Sequence, residues 1–190
     1  MSNFIAGKTF IPASGQVIGD KEKDYMNDAV DRGWLTAGQY NRWFEDGMTK
    51  YLGCKAVRTV NSGSSANLIA FSALTSPKLG DRAIQKGDEV ISVACGFPTT
   101  INPILQQGAV PVFLDIDTTL NIAAKDIENA ITNKTKAIFI AHTLGNPFNM
   151  EEVAAVAKKY NLWLIEDCCD ALGAEWKNQK VGTFGDLATL

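Results

Sequence analysis

The sequence has a single histidine, His142, and four cysteines, Cys54, Cys95, Cys168 and Cys169, with no C-x-x-C spacing among them. Adjacent thiols such as Cys168 and Cys169 do not readily chelate one ion tetrahedrally, so there is no zinc constellation and no metal is expected. Reduced, mostly buried thiols are expected instead. No apolar run approaches the roughly 20 residues that span a bilayer, which argues against a membrane partner. Residues 1–14 have neither a basic n-region nor an apolar h-region, so no signal peptide is read and a cytoplasmic location is expected. Positive charge is not in excess either. Lys and Arg total 18 against 21 Asp and Glu, for a net charge of −3, and the basic residues are scattered. No nucleic-acid partner is expected from such a surface. There is no internal repeat and no low-complexity tract. The remainder, 190 residues of which 46% are apolar, suits a globular protein with one sizeable core.

From residue 56 onward, short apolar runs alternate with helical periods. Strands are predicted at 56–60, 89–94, 110–114, 137–141 and 162–166, with a weaker one at 188–190. Helices are predicted at 66–74, 99–107, 123–131 and 150–160. The apolar runs are continuous, as in strands buried on both faces. Alternating β and α then implies a three-layer α/β/α fold with a mostly parallel sheet. Asn149 before Met150-Glu151-Glu152 is an N-cap followed by an acidic first turn. Lys158 and Lys159 occupy the last turn of that helix, and Asn161 suits its left-handed exit. Residues 77–88 form a polar loop. The first part of the chain reads as two helices, 23–31 and 41–52, so residues 1–55 are taken as an N-terminal helical extension and 56–190 as an α/β domain. Trp34, Trp43 and Phe44 in the extension are core or interface anchors.

In open α/β sheets, ligands bind beyond the carboxyl ends of the strands. Four segments fall at such ends. Asn61-Ser62-Gly63-Ser64-Ser65-Ala66-Asn67 leads from a strand into a helix. The unpaired first N–H groups and the dipole of that helix favour an anion such as phosphate. Gly63 permits close approach, while Ser64 and Ser65 add hydroxyls. The competing reading is a serine-rich N-cap. Cys95-Gly96-Phe97-Pro98-Thr99-Thr100 carries Phe97, either a core residue or an aromatic lid over a planar ligand. His142-Thr143-Leu144-Gly145-Asn146-Pro147 carries His142, either a hydrogen-bonded strand-end histidine or a ligand contact. Glu166-Asp167-Cys168-Cys169-Asp170 carries Asp167 at the end of an apolar strand. A carboxylate is costly to bury there without a positive partner, such as a protonated ring nitrogen. The alternatives for Asp167 are an N-cap or a solvated strand end. Glu166 alternates to the other face and reads as structural.

Together these segments resemble the DegT/DnrJ/EryC1/StrS family, the sugar-modifying branch of fold-type-I pyridoxal-phosphate enzymes. Gly87-Asp88-Glu89-Val90-Ile91, Gly108-Ala109-Val110-Pro111-Val112-Phe113-Leu114-Asp115 and Gly182-Thr183-Phe184-Gly185-Asp186 match in spacing as well. Within the family, Leu74-Thr75-Ser76-Pro77-Lys78-Leu79-Gly80, Gly96-Phe97-Pro98-Thr99-Thr100 and His142-Thr143-Leu144-Gly145-Asn146-Pro147-Phe148 resemble the 3-dehydrases of CDP-4-keto-6-deoxyglucose in lipopolysaccharide synthesis.

The resemblance implies the large domain of a fold-type-I enzyme that binds pyridoxal 5'-phosphate or pyridoxamine 5'-phosphate. Gly63, Ser64 and Ser65 would hold the phosphate, Phe97 would stack on the ring and Asp167 would meet the ring nitrogen. Asp170 stands where many relatives carry a glutamine near the ring hydroxyl. His142 and Asn146 would touch substrate or cofactor. The implied substrate is a nucleotide-diphosphate sugar, the implied assembly a homodimer with a contact near residues 34–44, and a reductase partner is consistent with the pathway. Two features of the family have no counterpart here. The Schiff-base lysine of its aminotransferases, or the histidine replacing it in the 3-dehydrases, is expected after Leu190, as is the small C-terminal domain. An iron–sulfur cluster, where relatives carry one, is also expected there. The catalytic residue is therefore unknown, and the chain reads as a truncated large domain, inactive alone. Three functions are weighed: 3-dehydratase, nucleotide-sugar aminotransferase, and a phosphate- or nucleotide-binding module without catalysis. The last is disfavoured because residues 62–65 lack the G-x-G-x-x-G and Walker spacings.

Overall fold

The computed structural model describes residues 4–10 and 15–190, so the reading of residues 1–14 as leaderless, and part of the 1–55 extension, lie partly outside the described residues. The chain divides into two compact units, Met1–Arg42 and Trp43–Leu190. The division falls inside a helix, whereas the sequence reading placed a boundary at residue 55.

The first unit contains α1 (Asp20–Asp31), entered at Gly19, whose N–H donates to the Glu22 carboxylate at 2.7 Å. Asp20 and Glu22 put negative charge on its first turn, where the dipole favours it. Its last turn is tied by Asp28, which accepts from Nε of Arg32 and from the Tyr40 hydroxyl, both at 2.6 Å. These bonds hold the Asp28 carboxyl below its ordinary range, Arg32 contributing most. No residue of α1 is buried. Helix α2 (Gln39–Leu52) carries the chain into the second unit.

That unit is a three-layer α/β/α structure. Its elements are α3 (Gly63–Ala73), β1 (Glu89–Val93), α4 (Pro98–Gln106), β2 (Val110–Leu114), α5 (Ala124–Ile127), β3 (Thr135–Ala141), α6 (Met150–Lys159), β4 (Trp163–Asp167), β5 (Glu175–Trp176), β6 (Gln179–Lys180) and β7 (Leu187–Thr189). Five strands form one parallel sheet in the order β2-β1-β3-β4-β7, and β5 and β6 make a separate antiparallel pair. Period-two alternation gives the sheet two buried faces. Ile91, Ile138, Ile140 and Leu164 pack against Ile127 of α5 and Val153 and Ala157 of α6. Val90, Ala137, Phe139 and Ile165 pack on the other face against Phe71 of α3 and Ile104 of α4, with the Phe71 and Phe139 rings stacked at 6.2 Å. Each fully buried Ile or Phe contributes on the order of 2–3 kcal/mol.

Helix starts follow the local chemistry. Pro98 opens α4, where a missing N–H costs nothing. The Asn149 side chain accepts from the Glu152 N–H at 3.3 Å and caps α6. Strand β2 lies at the sheet edge, and the Val110 N–H points inward to the Asp88 carbonyl at 2.8 Å. Its neighbour Pro111 therefore turns outward the position at which it has no N–H.

Several expectations need correction. Residues 56–60 are not a strand, because nothing among the described residues pairs with them. The Thr59 N–H and hydroxyl donate instead to Oε1 of Glu45 at 2.9 and 3.0 Å. The predicted helix at 123–131 is one short α-turn, α5, continued by a 3-10 turn at Glu128–Ala130. Of the thiols only Cys168 is buried; Cys95 and Cys169 sit on exposed loops at strand ends. No helix of the described residues is long and apolar enough to cross a membrane.

Candidate functional site

The order of the sheet sends the chain from β1 outward to β2, then back past β1 to β3. Strand order thus reverses between β1 and β3, the place where open α/β sheets bind ligands. A cavity of about 460 Å³ opens there, with walls from Gly63 and Ser64 of α3, Gly96 and Phe97 after β1, Thr143 and Leu144 after β3, and Asp167, Cys169 and Asp170 at the end of β4.

The α3 wall is built for an anion. Ser62 is extended and caps the helix, its Oγ accepting from the Ser65 N–H at 3.2 Å. The N-cap reading and the anion reading therefore coexist. Ser65 is engaged with Ser62, while the N–H groups of Gly63 and Ser64, at the first two helical positions, have no intrahelical acceptor. A Cβ on Gly63 would lie 2.5 Å from Sγ of Cys169, so only glycine fits against that sulfur. Burial, with the nearby Asp167 and Asp170 carboxylates, pushes the Cys169 thiol up to about 12. It remains a neutral wall.

Phe97 is 68% exposed at the N-cap of α4, which rules out the core reading and leaves a ring face open at the rim. Asp167 is buried, and its Oδ2 accepts from Nδ2 of Asn67 at 2.9 Å and from the Thr100 hydroxyl at 2.7 Å. Oδ1 accepts from the Cys169 N–H at 3.2 Å. The strand-end carboxylate is thus neither a solvated end nor a helix cap. Asn67 and Thr100 were not singled out as site residues from sequence. Asn67 lies one turn into α3 from Gly63, a spacing that brings it to the same helix face. Its pairing with Asp167 spans 100 residues of chain and carries no local signal.

His142, read either as a hydrogen-bonded strand-end histidine or as a ligand contact, is hydrogen-bonded. Its imidazole is fully buried, stacked on Phe148 at 4.2 Å, with Nε2 3.2 Å from Oε2 of Glu166. His142 borders the cavity while its imidazole is held in this pair. Asn146 does not border the cavity; its backbone oxygen accepts from Nδ2 of Asn121 at 3.0 Å and its own Nδ2 donates to the Thr119 carbonyl at 3.4 Å. Asp170 is exposed on the cavity wall. Gly145 packs so closely on it that a Cβ would lie 2.8 Å from the Asp170 carbonyl oxygen. His142, Glu166 and Cys168 cluster within 4.8 Å. The Glu166 oxygens, however, already accept from the N–H groups of Gly182, Phe184 and Gly185 and face His142. Burial also pushes the Cys168 thiol well up, so the cluster offers a cation neither thiolate nor spare carboxylate lone pairs.

Known proteins resemble this chain over nearly its whole length. The chain is 58% identical over 188 residues to the lipopolysaccharide biosynthesis protein RfbH of Salmonella typhimurium, covering 98% of the chain and 43% of the relative. It is 47% identical over 188 residues to a dTDP-4-dehydro-2,6-dideoxy-D-glucose 3-dehydratase of Saccharopolyspora spinosa, covering 98% of the chain and 41% of the relative. Among solved structures, an E. coli GDP-4-keto-6-deoxy-D-mannose-3-dehydratase with bound hydrated PLP superposes with a TM-score of 0.86 at 36% identity, over 92% of this chain and 44% of that one. The chain thus spans less than half the length of these relatives. The profile of the DegT/DnrJ/EryC1/StrS aminotransferase family matches residues 16–190, and this chain belongs to that family.

Proposed function

We propose that the chain supplies the cofactor-binding wall of a pyridoxamine- or pyridoxal-phosphate-dependent 3-dehydratase acting on a nucleotide-linked 4-keto-6-deoxyhexose. The observation that carries this reading is the convergence of three chemically distinct walls on one cavity. The α3 N-terminus offers two N–H donors to a phosphate, Phe97 offers an open aromatic face to a flat ring, and Asp167 offers a carboxylate to a ring N–H⁺. A pyridoxal-type cofactor has those three parts, so the residues fit the group. When bound, it supplies an electron sink for the carbon attached to it. This chain's residues bind and orient it: Gly63 and Ser64 hold the phosphate, Phe97 covers the ring, and Asp167 keeps the ring proton in place. Asp170, on the cavity wall, would lie near the ring hydroxyl.

Among the described residues, no lysine lines the cavity. The group that moves protons during the reaction is assigned to the remainder of the protein, in keeping with relatives more than twice this length. A 3-dehydratase is favoured over amino transfer by the names of these relatives, and the family name keeps amino transfer as the second reading. A cytoplasmic homodimer is part of the same proposal, with the exposed Trp34, Trp43 and Phe44 as candidate contacts.

The test uses the whole protein with pyridoxamine phosphate and a nucleotide-linked 4-keto-6-deoxyhexose. Loss of the C3 hydroxyl as water, detected by mass spectrometry, is the expected result. Formation of an amino sugar at the expense of an amino-acid donor would favour the second reading. Failure to bind either cofactor, with binding of a nucleotide alone, would overturn both.

A further inference from the structure

The hydrogen bonds that hold Asp167 run in a direction forced at every link. A carboxylate accepts and does not donate, so the Asn67 group that meets Oδ2 at 2.9 Å is its Nδ2. That choice turns the amide oxygen of Asn67 the other way, toward Thr189. An amide oxygen accepts, so the Thr189 hydroxyl donates to it, at 2.5 Å. Thr100 donates to the same Oδ2 from the opposite side, at 2.7 Å. The chain is therefore Thr189 to Asn67 to Asp167, met by Thr100. All four residues are buried, with at most 4% of any one exposed. In so dry a setting a lost partner is not replaced by solvent.

Four separate elements meet in this chain. Thr189 ends β7, Asn67 is in α3, Asp167 ends β4 and Thr100 lies in the first turn of α4. Asn67 and Asp167 border the cavity, whereas Thr189 does not. The backbone of Thr189 is held independently, pairing with Asp167 and accepting from the Cys168 N–H at 2.7 Å. Its hydroxyl is thus free of any role in strand pairing. Two side-chain donors on Oδ2 set the rotation of the carboxylate, and Oδ1 is left with a single backbone donor.

We infer that Thr189 is a positioning residue for the cofactor ring: through Asn67 it sets the orientation in which the Asp167 carboxylate meets the ring nitrogen. The end of β7 and the ring anchor then move as one unit, although Thr189 touches no ligand. The inference rests on the cofactor reading given above.

The test compares the whole protein with its Thr189→Val, Thr189→Ser and Asp167→Asn variants, using pyridoxamine phosphate as the probe. Val keeps the shape and β-branching of Thr while leaving the Asn67 oxygen without a donor. Two quantities are read: the dissociation constant, and the pH at which the absorption band of the bound cofactor changes. T189V is expected to raise the dissociation constant about fivefold. It is also expected to move the absorption transition to lower pH, because a misaligned carboxylate stabilises the ring proton less. T189S is expected to restore both. Wild-type values for T189V in both readouts overturn the inference, even if its melting temperature falls. D167N separates the two levels. If it too leaves both readouts unchanged, the cofactor reading itself fails; if it changes them and T189V does not, only the role of Thr189 fails. Should T189V not fold, Asn67→Asp decides. It keeps the acceptor for Thr189 but sets a second carboxylate against Asp167, so a larger loss of affinity is expected, and unchanged affinity overturns the inference.

Discussion

Nε2 of His142 lies 3.2 Å from Oε2 of Glu166, and both side chains are entirely withdrawn from solvent. The same carboxylate accepts from Gly182, Phe184 and Gly185 N–H at 2.7, 2.9 and 2.7 Å, gathering one turn before β7 around a single side chain. The pair is a clamp on that turn.

Glu166→Gln replaces one acceptor oxygen with an NH₂ that must face a backbone donor. A loss of about 2–4 kcal/mol in unfolding free energy is expected from urea denaturation. Native-state hydrogen exchange should show the loss concentrated at residues 182–189. A uniform loss of protection across β1 and β3 would contradict the clamp.

Gly63→Ala sets a methyl against Cys169 Sγ at a separation no real contact tolerates. We expect destabilisation of about 1–3 kcal/mol together with weaker binding of pyridoxamine phosphate. The obstacle is one side-chain atom, so Cys169→Ala should return most of both losses in the double variant. Additive effects of the two substitutions would place the cause elsewhere.

Cys169 titrates at about 12 in the folded chain against an ordinary 9.0. A raised pKa means that the folded state holds this proton more tightly than the unfolded state. The associated stability is complete below pH 9 and is lost as pH climbs toward 12. Cys169→Ala should therefore flatten the alkaline part of the stability profile. Peptide mapping after iodoacetamide treatment should find Cys169 labelled slowly at pH 8, although the residue is exposed, because the thiolate is the reactive form. Rapid labelling there would refute the raised pKa.

The parallel sheet was legible because Val90-Ile91, the run from Ala137 to Ile140 and the run from Leu162 to Ile165 are buried on both faces and so read as continuous apolar stretches. Residues 56–60 carry a similar local signal, yet a strand exists only where a partner pairs with it, and pairing is not a local property. The hairpin of β5 and β6 was missed because two-residue strands have no period to detect. At the cavity, Gly63, Ser64, Phe97, Asp167 and Asp170 were legible as small, aromatic or acidic residues at strand ends. The partner of His142 was not legible, because Glu166 lies on the neighbouring strand, 24 residues away. Asn67, Thr100 and Thr189 were invisible for the same reason, since their roles exist only once β4 and β7 are side by side.

Pro111 has a consequence beyond its own strand. With its missing donor on the outer side of β2, that margin of the sheet rejects another strand at mid-length. Among the described residues, the opposite margin, β7, contains no proline. Among the described residues the two margins thus differ, β2 being the one guarded by proline. Any segment that lengthens the sheet at β7, from this polypeptide or from a misassembled neighbour, joins within a few ångströms of the Thr189–Asn67–Asp167 chain.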